Sequence, residues 1–141
     1  MALTLNTVID GPRRAVIQVQ IDDTSGDEAA TVVVDISALN PNGDGLVPVR
    51  VTVERVCASL DGFSARLEYD HTANTLILPI ATDLTIDKLF RTDKREFPGS
   101  AGWKDTGTIG DGTGDIVITT TGNLAGDFGV MEISVRKEYA E

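Results

Sequence analysis

Residues Ala15–Ile21 read AVIQVQI. Side chains of an extended chain point alternately to opposite faces, so Ala15, Ile17, Val19 and Ile21 fall on one side and Gln18 and Gln20 on the other. This period of two predicts a strand with one face in a core and the other in water. The same rhythm recurs along the chain. In Val47–Glu54, VPVRVTVE, the valines Val47, Val49, Val51 and Val53 oppose Pro48, Arg50, Thr52 and Glu54. In Phe63–Tyr69, FSARLEY, the residues Phe63, Ala65, Leu67 and Tyr69 oppose Ser64, Arg66 and Glu68. Near the C-terminus Met131, Ile133 and Val135 oppose Glu132, Ser134 and Arg136.

Further strands are expected at Leu3–Ile9, Ala30–Ile36, Thr75–Ile80 and Asp115–Thr121. Pro48 and Pro79 lack an N–H for a ladder, which places them at sheet edges or bulges. Turn clusters separate the runs: Asp10–Pro12, Asp22–Glu28, Asn40–Gly45 and Asp70–Asn74, all rich in residues that tolerate turn dihedrals. Asp83–Arg91, DLTIDKLFR, reads either as a helical turn or two capped by Asp83 or as a strand. Thr92–Thr113 is polar and glycine-bearing and reads as one long loop, a length associated with function or interfaces. The expectation is a single all-β domain, an antiparallel β-sandwich of jelly-roll-like form. It has a short N-terminal arm over about residues 1–8, the loop at 92–113 and at most one short helix.

Composition narrows the function classes. The 141 residues include 22 acidic and 12 basic ones, a net charge of -10. That balance disfavours nucleic acid, whose recognition needs a basic footprint, and an anionic membrane surface. Cys57 is the single cysteine, so no internal disulfide forms. No apolar run reaches the length of a membrane span, and the first residues lack the layout of a secretory signal, so synthesis in a cytosol without export is expected.

Glycines and aspartates crowd Gly110–Asp127, GDGTGDIVITTTGNLAGD. A phosphate loop needs a lysine and a helix after its glycines; here Asp115 and a β-branched run follow. Calcium is the stronger challenger, at Asp111 with Asp115 or at Asn40, Asn42 and Asp44 in NPNGDG. The second stretch fits only the start of an EF-hand loop: its twelfth position is Val51, and a strand follows. The expected reading is therefore folding chemistry. The glycines turn the chain into a hairpin that pairs Asp115–Thr121 with Phe128–Lys137, and no metal or cofactor is expected. His71, the only histidine, is expected as a solvated turn residue and Cys57 as a small buried one, leaving no catalytic dyad and no enzyme. Trp103, the only tryptophan, lies in the long loop, where it either lids the sandwich or anchors an interface.

The last part of the chain, Leu84–Glu141, resembles small virion structural proteins of tailed bacteriophages. The matching pieces are the segment Leu84–Phe90, the glycine-rich Gly99–Gly114, Gly-Asp-Ile-x-hydrophobic-Thr-Thr at Gly114–Thr120, the Gly126–Asp127 turn and the closing strand Met131–Lys137. The resemblance implies a non-enzymatic virion component, foremost a capsid decoration or cement protein. It would be made in a host cytoplasm and carried on the virion as a homo-oligomer against the major capsid protein or other virion proteins. A head-to-tail connector or tail-associated protein is the alternative, and a sugar- or calcium-binding β-sandwich module a further one. Leu3 and Leu5 in the arm, with Trp103 and Lys104 in the loop, are the expected contact residues. The uncharged Met1–Leu5 is suited to adding a strand to a neighbouring sheet.

Overall fold

A computed structural model describes residues 3–21, 30–81, 85–89, 105, 112–122 and 127–139. Nine strands carry the fold: β1 Leu3–Asp10, β2 Arg14–Ile21, β3 Thr31–Val34, β4 Pro48–Asp61, β5 Ser64–Tyr69, β6 Thr75–Ile80, β7 Thr85–Leu89, β8 Ile116–Thr121 and β9 Phe128–Tyr139. They form a five-stranded sheet ordered β1-β2-β9-β4-β7 and a four-stranded sheet ordered β3-β8-β5-β6. All pairings are antiparallel. The result is a two-sheet β-sandwich; its strand order is not evidence for the jelly-roll form. The only helical element among the described residues is a 3-10 turn at Ile36–Ala38, capped by Asp35, whose carboxylate accepts from the Ser37 N–H at 3.0 Å. Thr85–Leu89, left open between helix and strand by its sequence, is a strand.

One apolar core lies between the sheets. Ala15, Ile17, Val19 and Ile21 of β2 and Met131, Ile133 and Val135 of β9 enter it from one side, Phe63, Ala65, Leu67 and Tyr69 from the other. The alternation of these runs thus reports their faces correctly. In β4 it holds only in part. Val51 and Val53 are buried, but Val47 is exposed and Pro48 buried. Glu54 is an extra residue, because Val53 pairs with Val135 and Arg55 with Ser134. This bulge flips the phase, so that Val56, Ala58 and Leu60 continue the inner face. A second irregularity follows Pro48, and Pro79 sits on β6, an edge strand, which suits a residue without an N–H.

The expected hairpin between β8 and β9 does not form. β8 pairs with β3 and β5 in one sheet, while β9 lies between β2 and β4 in the other. The six residues Gly122–Asp127 join strands of opposite sheets, which lie about 10 Å apart in such sandwiches. The twelve residues of β9 are flanked along most of their length by two long partners. Two glycines serve the turn and the packing directly. Gly112 has φ +83, and a Cβ there would meet the Asp70 carbonyl oxygen at 2.5 Å; at Gly129 it would meet the Phe63 ring at 2.7 Å.

Candidate functional site

Among the described residues β1 is hydrogen-bonded on one side only, to β2. The segment read as an arm is therefore, from Leu3 onward, the edge strand of the larger sheet. Leu3, Leu5 and Thr7 pair with Ile21, Val19 and Ile17, whose side chains enter the core, so all three share the inner face. The opposite sheet nevertheless leaves β1 uncovered. Leu3 is partly buried, Leu5 is 46% exposed, and Val8 and Ile9 are each 52% exposed. Such an edge presents unpaired backbone N–H and C=O groups beside apolar side chains. Of the four expected contact residues, the structure places Leu3 and Leu5 together on this strand. Trp103 and Lys104 lie outside the described residues.

A bulge at Val8 decides where β1 ends. Thr7 pairs with Ile17 but Ile9 with Val16, so Asp10 falls opposite Ala15 and turns inward. There its carboxylate accepts a hydrogen bond from the Lys137 ammonium, whose side chain is fully buried, and from the Asn40 N–H at 2.9 Å. Lys137 also donates to the Asn40 carbonyl at 2.9 Å. The Tyr139 hydroxyl donates to the Pro12 carbonyl, and on the outer face Arg14 meets the bulged Glu54 at 2.8 Å. The turn end of the β1–β2 hairpin is thus held by the buried Lys137 ammonium and by part-buried and exposed bonds around it, while the strand leading to it is uncovered.

His71 corrects its sequence reading. It is 8% exposed, and its Nε2 lies 2.6 Å from Oδ1 of Asp105, which is 4% exposed. Arg50 donates to the Asp105 carbonyl oxygen at 2.9 Å, so Asp105 is held both to β4 and to the turn after β5. The pair is 34 residues apart in sequence and sealed from solvent, which suits a structural tie. Nearby, the Tyr69 hydroxyl accepts from the Val53 N–H at 3.1 Å, and burial pushes its phenol well above the usual range. Cys57 is half-buried, not buried: its thiol lies 3.3 Å from Asp87, and burial and that carboxylate push its pKa up. The hydrogen bonds from Arg55 hold Asp87 down to about 2.

Two of the candidate calcium oxygens accept from the backbone. Asn42 Oδ1 accepts from the N–H groups of Asp44 and Leu46, both at 3.0 Å. Asp115 Oδ1 accepts from the Ile36 N–H at 2.9 Å; Asp111 lies outside the described residues. Sequence reasoning had no signal for the His71–Asp105 or Lys137–Asp10 pairs, which join residues distant in the chain. No family model, curated protein or solved structure matches the chain.

Proposed function

We propose that this chain is a non-enzymatic structural protein of a tailed-bacteriophage virion, a decoration or cement protein that binds the assembled head and strengthens contacts there. The observation that carries the reading is β1: an eight-residue edge strand, exposed from Thr4 to Ile9 and bearing Leu5, Val8 and Ile9, whose adjoining turn is tied by the Lys137–Asp10 pair. An edge of this kind is suited to being covered in an assembly. The resemblance of Leu84–Glu141 to small virion proteins points the same way, as does a net charge of -10, which opposes unordered clustering of the protein away from a lattice. Trp103 and Lys104 are proposed as a second contact.

Mixing the folded protein with bare shells and sedimenting the particles tests this. The parent is expected to co-sediment, while deletion of Met1–Leu5 and, separately, Trp103→Ala weaken binding. Undiminished binding of both variants would remove the docking model. A parent that ignores shells but joins purified neck or tail parts would assign the connector role.

A further inference from the structure

Among the described residues the sandwich has four edge strands, and three are guarded. β3 is only four residues long. β6 carries Pro79, and β7 has five residues that include Asp87 and Lys88. Short length, proline and charge are the devices by which sheets discourage edge-to-edge pairing. β1 lacks all three along its regular stretch: it runs eight residues, LTLNTVID, with no proline and no charge before Asp10, and its bulge at Val8 and the inward-turned Asp10 lie beyond Leu3–Thr7. Its surroundings are also unlike the rest of the chain. Leu3–Ile21 contains one acid, Asp10, already paired with Lys137, and two arginines, Arg13 and Arg14. This hairpin therefore escapes the net charge of -10 that opposes contact elsewhere between copies.

We infer that β1 pairs with β1 of a second copy, antiparallel about a two-fold axis at Leu5, to make one continuous sheet through both molecules. The inference rests on the reading of β1 as a contact edge and names its partner. The register follows from the bulge. Leu3–Thr7 is the regular part of the strand, and Leu5 is its centre. A two-fold there sets Leu5 against Leu5, Leu3 against Thr7 and Thr4 against Asn6, each pair on a common face. It covers the exposed Leu5 and satisfies the outward backbone groups. Because the interface is isologous, it closes at two copies instead of growing into a fibre.

Sedimentation equilibrium of the isolated protein, with no shell present, tests the pairing separately from the virion role. The parent is expected to be a dimer. Leu5→Lys and Leu5→Glu each set like charges against one another and should weaken dimerisation at least about tenfold, whereas their mixture should recover it. A parent that is monomeric throughout its soluble range overturns the inference, as does a Leu5→Lys protein that dimerises like the parent or a mixture no tighter than either variant. Should the variants misfold, amide exchange of the parent decides. Protection across Leu3–Thr7 must rise with protein concentration, and concentration-independent exchange overturns the pairing. Dimer formation without shell binding would leave the pairing standing and remove the decoration role.

Discussion

Asp115 is 8% exposed, and its carboxylate accepts the Ile36 N–H that begins the 3-10 turn. Burial raises its pKa above the ordinary 3.8, an effect only partly offset by the Ile36 N–H and Thr113. The sign follows directly: the ionised side chain is disfavoured in the fold, so its contribution is most favourable below the unfolded pKa and is lost as pH rises through the folded one. Asp115→Asn keeps the Oδ1 acceptor without the charge. It should raise the melting temperature at neutral pH, with the gain fading as pH falls toward the ordinary carboxylate range. A destabilised variant at neutral pH would show that the charge itself is needed. Lys137 poses the opposite case, a fully buried cation with one carboxylate partner. Asp10→Ala strands it and should cost about 3 kcal/mol, whereas adding Lys137→Met should restore most of the loss. Urea midpoints of the two single variants and the double variant measure the coupling.

At the scale of elements, the bulge at Glu54 links the two sheets. β7 pairs with β4 only from Arg55 to Ser59, and just beyond it the Val53 N–H turns to the Tyr69 hydroxyl. Tyr69→Phe leaves that buried donor without its acceptor and should destabilise the fold by about 1–3 kcal/mol, read as a lower urea midpoint with unchanged slope. An unchanged midpoint would mean another acceptor takes the N–H. The same strand shows what the sequence makes legible. Alternation assigns a face wherever pairing is regular, as in β2, β5 and β9. The phase shift in β4 was also written there, since the apolar positions pass from Val51 and Val53 to Val56, Ala58 and Leu60 across the adjacent charges Glu54 and Arg55. Neighbours were not legible, because alternation fixes the face of a strand and not its partner; hence β8 was paired with β9 when the chain crosses between sheets. At the candidate site, Leu3 and Leu5 were readable as uncharged and N-terminal. Their place on an open edge was not, since exposure there depends on how far the opposite sheet extends.

For the molecule as a whole, the distribution of charge predicts how self-association responds to salt. Two copies approach with a net charge of -10 each, yet the edge proposed to join them carries no charge from Leu3 to Ile9. The contact itself is backbone hydrogen bonding and apolar burial, which moderate salt barely weakens. The opposing field is long-ranged and is screened beyond a Debye length of about 10 Å at 0.1 M ionic strength. Raising salt from very low to physiological levels should therefore tighten the dimer, chiefly through faster association, because repulsion acts on the encounter. Sedimentation or light scattering across a sodium chloride series reads the dissociation constant directly. An interface built on ion pairs, for instance Arg13 or Arg14 of one copy against acids of the other, would loosen over the same series. A dimer that weakens with salt would thus replace pairing along β1 with a charge-driven contact, even if Leu5→Lys also disrupts it.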